Sequence, residues 1–196
     1  MGTDPFFEKC EKWGQTPFSK GGLLPALAFL AAATASAAPV YSSREQALSR
    51  AFPPPATVER KTFFLTDAER EKASRAARSK IDSALVIAYV AKGANGPLGT
   101  GYFETHVVRT MPETILVTIK PDGALGGVEI IAFGEPEDYL PRRNWLKLFP
   151  GRRLDDDLTV GRGLAHVTGA TLTTRAIADS VRRVLAIHSV IAGRTP

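Results

Sequence analysis

Between His166 and Arg175 the chain reads His-Val-Thr-Gly-Ala-Thr-Leu-Thr-Thr-Arg, and a long amphipathic stretch follows at once. Four threonines, a glycine and an alanine are more than the start of a helix requires, because one side-chain oxygen already satisfies a free N–H of the first turn. Two kinds of chemistry suit these residue types. Thr168, Thr171, Thr173 or Thr174 can each act as an N-cap, with Gly169 allowing a tight turn before the helix. Alternatively, the free amides and the positive end of the helix dipole form a site for an anion such as phosphate. The Thr168-Gly169-Ala170-Thr171 turn would let that anion approach the backbone while presenting several hydroxyls. Spacing alone leaves both open.

Other residues capable of chemistry form weaker groups. His106, His166 and His188 are dispersed without metal-ligand spacing, and His188 falls on the apolar face of the last helix, as a core or flanking histidine would. Asp155-Asp156-Asp157 lacks the pattern of a calcium loop and reads as a solvated turn. Serine, histidine and aspartate all occur without a nucleophile elbow, which argues against a hydrolase. The one cysteine, Cys10, lies within residues 1–37. A chain beginning after that stretch has no thiol for disulfides, iron–sulfur clusters or nucleophilic catalysis.

The elements that must position the motif are those of one ordinary domain: 196 residues, 44% of them hydrophobic, can furnish a single core. The formal charge of +5 is spread over short groups such as Arg142-Arg143, Arg152-Arg153 and Arg182-Arg183, interleaved with acids, and forms no stripe for nucleic acid. Residues 1–37 read as a leader and secretory signal peptide. A polar start closes on Lys20, an apolar run spans Leu23 to Ala33, and Ala35-Ser36-Ala37 fits a small-x-small cleavage site. The same run, taken through Val40, approaches spanning length and reads otherwise as an uncleaved anchor. Either reading predicts an exported domain, periplasmic or on the outer face of the cytoplasmic membrane.

Ser42 or Ser43 caps a short helix that runs to Ala51 and is stopped by Pro53, Pro54 and Pro55; Val58–Leu65 reads as a strand. Thr66 and Glu69 form a capping box for a charged helix from Asp67 to about Lys80, with a thin alanine face. Four strand-like runs follow, 84–91, 99–108, 113–120 and 127–133, separated by short glycine- and proline-rich turns. Such short connections predict an antiparallel sheet and hence an α+β domain, because parallel pairs need long crossovers. Pro136–Phe149 reads as a proline-punctuated helical segment, and 151–163 as a polar loop. The last helix, from about Thr173 to Ile191, carries Ile177, Val181, Val184, Leu185, His188 and Ile191 on one face, with Arg175, Asp179, Arg182 and Arg183 directed away.

The stretch TGATLTTRAIADSVRRVL, residues 168–185, resembles the terminal motif of the FMN-binding domain family. These extracytoplasmic flavoprotein domains are related to the flavin-carrying subunits of sodium-pumping NADH:quinone reductases and Rnf-type complexes. Upstream, GTGYFETHVVRTMPETILVTIKPDG, GVEIIAFGEPEDYL and WLKLFPGR are similar in order to the family's sheet and connecting helix, so the resemblance covers about Leu98 to Val190. It implies an FMN-binding domain at 98–191, preceded by an N-terminal helical and strand extension at 38–97.

The resemblance further implies that Thr171 receives FMN through a phosphoester bond, installed by a flavin transferase that uses FAD and magnesium. Thr168, Gly169, Ala170, Leu172, Thr173 and Thr174 would complete the motif around it. The protein would then be an electron carrier working with a membrane redox protein, such as a cytochrome or a quinone-linked complex, and would need no catalytic acid or base of its own. Tyr139, Leu140 and Trp145 offer flat apolar surface for the ring, or else cap the sheet. His166 adjoins the motif, and Glu135 either meets a ring edge or sits in an exposed loop. Ala165 stands where members commonly hold an aspartate, a position the transferase could read. The alternative is a flavin-free accessory module of the same fold, with residues 139–149 docking a partner.

Overall fold

Ser43 and Thr66 begin the first two helices of the computed structural model, which describes residues 39–194. Ser43 accepts from the Gln46 N–H, and the Gln46 side chain returns the bond, opening α1 (Arg44–Ala51). Thr66 and Glu69 do the same for α2 (Asp67–Ala77). Each reciprocal cap satisfies two otherwise orphaned donors and contributes about 1 kcal/mol. Helix α2 stops at Ala77, earlier than the expected Lys80, because Arg78 turns into the left-handed region at φ 57°. The expected leader, with Cys10, lies outside the described residues. No helix among the described residues is long and apolar enough to cross a membrane.

Five strands form one sheet in chain order, every pair antiparallel: β1 (Thr57–Phe64), β2 (Leu85–Gly93), β3 (Gly96–Val107), β4 (Pro112–Ile119) and β5 (Leu125–Phe133). The α+β expectation from short connections holds. Alternation along the strands divides the core between the two faces of the sheet. Ile115, Val117 and Ile119 of β4 face one side with Val86, Ala88 and Tyr102, whereas Leu116 joins Tyr89, Ala91 and Ile131 on the other. Helix α1 covers the second face through Ala47, Leu48 and Phe52. The first face carries the long helix α4 (Thr171–Ile191) and the segment leading into it.

That segment departs from the expected helix over 136–149. It resolves into a 3-10 turn at Glu137–Tyr139 and a single turn, α3 (Arg143–Leu146). Pro136, Pro141 and Pro150 lack the N–H that a continuous helix needs, and each pushes the residue before it away from helical backbone. Trp145 and Phe149 nonetheless reach the core and pack edge to face, 5.1 Å between ring centres. Residues 151–163 remain without helix or strand, anchored by fully buried Leu158 and by Arg152, which donates to the carbonyls of Leu148 and Gly163.

Helix α4 begins at Thr171, earlier than the expected Thr173, and buries Ile177, Val181, Val184, Leu185 and Ile191 as the periodicity predicts. Arg182 is a correction: it is 5% exposed, and its guanidinium donates to the carbonyls of Ala76, Ala77 and Asp155. Helix α2 lies against α4 through Ala73, Ala77 and Ala186, side chains so small that the two backbones approach closely. Arg182 is thereby enclosed, and it satisfies the last carbonyls of α2. Replacing it by Met keeps the apolar stem but strands those acceptors. Arg182→Met should therefore lose about 2–3 kcal/mol, read as a lower urea midpoint at unchanged slope.

Candidate functional site

The start of α4 is uncapped. Its N-cap position is Ala170, and no side chain accepts a hydrogen bond from the first turn. The first helical bond runs from the Thr174 N–H to the Ala170 carbonyl at 2.9 Å. Among the described residues, the N–H groups of Thr171, Leu172 and Thr173 therefore have no protein acceptor. The first turn also contains no acidic residue to answer the helix dipole. Between the two readings of the threonines, capping is the one overturned.

Each threonine has another placement. Thr173 and Thr174 are buried, and the Thr174 hydroxyl donates back to the Thr171 carbonyl at 3.0 Å. Thr168 is exposed beside Gly169, whose φ of +85° makes the turn that glycine tolerates best. Thr171 is half-buried at the helix threshold, its hydroxyl 3.3 Å from the Val167 carbonyl, and Leu172 beside it is 52% exposed. The motif thus brings the Thr171 hydroxyl next to free amides, with Thr168 exposed before the turn and Thr173 and Thr174 buried.

Around this turn the other expected site residues divide. A Cβ added at Gly169 would lie 3.8 Å from the Asp138 carbonyl, so the 3-10 turn that carries Tyr139 borders the motif. Tyr139 is half-buried, with the Arg109 guanidinium 4.7 Å from its ring centre. Trp145 is buried and its indole N–H donates to the Ala165 carbonyl at 2.7 Å, which ties the approach to the motif down onto α3. His166 is exposed but its ring lies against Gly161, where an added Cβ would meet Nε2 at 2.7 Å. Glu135 is a correction to the exposed-loop reading. It is buried, and one carboxylate oxygen accepts from the N–H groups of Arg109, Thr110 and Met111. Those backbone bonds, Thr110 foremost, hold its pKa below the ordinary carboxylate value.

Helix α4 is joined to the sheet by polar contacts that the sequence reading did not find. The Arg183 guanidinium donates to the Ser180 hydroxyl at 2.7 Å. Ser180 meets His106 Nδ1 at 2.9 Å, and His106 Nε2 meets the Glu113 carboxyl at 2.9 Å. With Ser180 accepting from Arg183, its own proton goes to Nδ1 and the imidazole donates through Nε2. Glu113 is fully buried and its second oxygen has no partner, so burial raises its pKa, with His106 opposing. His106 and Glu113 are directly opposed residues of β3 and β4. The Thr110-Met-Pro turn hinted at that register. Further along, Tyr102 and His188 hydrogen-bond at 2.8 Å; burial raises the phenol's pKa and lowers the imidazole's.

Residues 111–186 match the profile of the FMN-binding domain family. The match spans 76 of the chain's 196 residues, and the cofactor it indicates is FMN. The crystal structure of Shewanella oneidensis NqrC matches with a TM-score of 0.50 at 19% identity, covering 69% of this chain and 85% of that one, a likeness of fold. No curated protein sequence matches.

The residues of this FMN-binding domain fit the phosphate end of the cofactor. Three unpartnered amides open a helix of 21 residues, and no capping side chain or carboxylate competes for them. A cavity of about 730 Å³ bounded by Tyr41, Val128, Ile130, Leu140 and Leu146 has no motif residue in its lining, although Leu140 ends the 3-10 turn that borders Gly169. Among the described residues no His, Cys, Asp and Glu cluster is disposed to hold a metal, and Asp156 pairs with Arg78 and Arg162.

Two outcomes follow from this geometry. Trp145→Phe retains the core ring but removes the bond to Ala165; it should lose about 1 kcal/mol and speed amide hydrogen exchange across 166–172 selectively. Glu113 has a folded-state pKa above its unfolded value, so its contribution to stability is complete below the ordinary carboxylate range and is lost as pH rises through the folded pKa. Glu113→Gln should flatten that decline in denaturation midpoints measured from pH 4 upward; an unchanged slope would mean that Glu113 is not the group responsible.

Proposed function

We propose that the protein is an exported flavoprotein that carries FMN as a phosphoester on Thr171 and passes electrons between a membrane redox partner and a second acceptor. The observation that carries this reading is the uncapped start of α4, where an accessible hydroxyl stands beside amides that lack protein acceptors. The family match over 111–186 and the fold likeness to NqrC support it. Bound flavin supplies the redox chemistry; the chain supplies attachment, orientation and electrostatics.

In the attachment step the Thr171 hydroxyl oxygen forms a bond to the FMN phosphorus of FAD, the pyrophosphate bond breaks, the hydroxyl proton is released, and AMP leaves. A flavin transferase using FAD and magnesium would catalyse it. The resulting phosphodiester bears one negative charge, which the helix dipole stabilises by about 0.3–1 kcal/mol, more where the geometry is partly buried. The covalent bond matters more than that increment, since an exported domain would otherwise lose a dissociable cofactor to dilution. Leu172, Tyr139 and Leu140 are the partly exposed apolar side chains beside the motif and would border the ring.

A second reading, a flavin-free accessory module, draws on Ala165 in place of the family's usual aspartate. Co-expression with a flavin transferase separates the two. The expected product fluoresces on a denaturing gel and gains the mass of one FMN residue, and Thr171→Val abolishes both while leaving the fold intact. Label retained in Thr171→Val refutes the attachment site. Colourless protein from the native envelope, in cells with an active transferase, favours the accessory module.

A further inference from the structure

The turn between β3 and β4 holds an arginine beside the motif for which neither the fold nor the attachment accounts. The backbone of this turn is fixed by Glu135, which accepts from Arg109 N–H at 3.2 Å, Thr110 N–H at 2.7 Å and Met111 N–H at 2.9 Å. The Arg109 side chain is then laid over Tyr139, 4.7 Å from guanidinium to ring centre. Among the described residues the Arg109 guanidinium forms no ion pair, although the backbone N–H of the same residue is bound to the Glu135 carboxylate; the contact that orients the guanidinium is with a neutral ring. Tyr139 belongs to the same 3-10 turn as Asp138, whose carbonyl borders Gly169. A guanidinium without an ion-pair partner is therefore held on the turn that borders the motif.

Several other arginines are committed elsewhere, whereas Arg142 and Arg143, in the segment before α4, are exposed and have no orienting partner among the described residues. Arg152 is bound to two carbonyls, Arg162 to Asp156, Arg182 to three carbonyls, and Arg183 to Glu104 and Ser180. Arg175 is exposed on α4, one turn after Thr171, and is the nearest rival in sequence. It lacks any orienting partner among the described residues. A cation stacked on an aromatic face keeps its position and part of its desolvation at modest cost, whereas a free surface arginine is hydrated and averaged over many rotamers.

We propose that Arg109, oriented by Tyr139, is the positioning cation that raises the reduction potential of the flavin carried on Thr171. The inference rests on the flavin reading above. Reduction adds two electrons and one proton, the electrons coming from the donor side of the proposed chain, and leaves the ring with one more negative charge than before. A fixed positive charge beside it stabilises the reduced form over the oxidised one, so more of the protein is reduced at a given solution potential. Aromatic stacking keeps the guanidinium in place without cancelling its charge, which a carboxylate partner would do.

The test is the midpoint potential of the full chain flavinylated by a co-expressed transferase, measured at pH 8 and low ionic strength. Arg109→Gln should be labelled as fully as the parent but have a lower potential, about 30 mV for each tenfold loss in stabilisation of the reduced form. Arg109→Lys should recover part of the shift, Tyr139→Leu should reproduce some of it by releasing the guanidinium, and added salt should narrow the gap between parent and Arg109→Gln. A labelled Arg109→Gln with the parent's potential overturns the inference and leaves the attachment standing. A shift in Arg175→Gln with none in Arg109→Gln transfers the role to Arg175 and overturns it equally. Absence of label in the parent overturns both readings together.

Discussion

A helix must present its first amides to something, and α4 withholds the usual answers. Ala170 occupies the N-cap, the first turn lacks an acid, and none of the nearby threonine hydroxyls accepts from its amides: Thr171 bonds the Val167 carbonyl, Thr174 the Thr171 carbonyl, and Thr173 is buried. Water can always serve an exposed amide. A phosphate does better, because it meets several donors and the dipole at once. The rest of the molecule can be understood as the means of holding those amides open. Without a firm mount, the first turn would fray and its donors would disperse.

The mount is built mostly from apolar contact and locked by polar groups. One face of α4 lies on the sheet through Ile177, Val181 and Val184, which sets its height and pitch. Apolar packing by itself tolerates small slides along the helix axis; hydrogen bonds at fixed points do not. Ser180 to His106 and His188 to Tyr102 fasten α4 to β3 at two levels, while Arg182 fastens it to the end of α2. Trp145 then ties the incoming strand of chain at Ala165, so both sides of the Thr171 turn are held. Burying Glu113 with one oxygen unpartnered is destabilising in isolation, and its presence under this helix is consistent with a premium on position over stability.

Much of this could be read before any coordinates existed, and the failures have physical causes. The strands were legible because period-two alternation coincided with turn residues, and the antiparallel pairing of β2 to β5 followed from the shortness of their connections. The caps at Ser43 and Thr66 were legible because both partners of a capping box lie within four residues. Arg182 was misplaced because helical periodicity says which side of α4 faces the sheet but not that α2 covers another side. The segment 136–149 was drawn too regular, its apolar spacing outweighing prolines that forbid continuity. At the motif, composition pointed to the start of α4, but four threonines within seven residues gave no means to decide which would cap; only the geometry shows that none does. Glu135 was misplaced and Arg109 missed for a related reason: their partners are 24 to 30 residues away in sequence, joined by a register no local pattern displays.

An open mount is itself a functional choice. Ligands held by affinity alone are commonly enclosed, because burying most of their surface is what retains them. At the start of α4, Thr168 is exposed and Leu172 is 52% exposed, and the cavity of about 730 Å³ has no motif residue in its lining. On the proposed reading the phosphoester does the retaining, which releases the ring from any need to be engulfed. An exposed ring suits an electron carrier, since transfer requires close approach by a partner at both loading and discharge. The same exposure deprives the protein of a low-dielectric pocket through which to tune the flavin, so tuning falls to charges fixed at its border. A guanidinium held on an aromatic ring is one of few ways to keep such a charge both oriented and unneutralised at a wet surface.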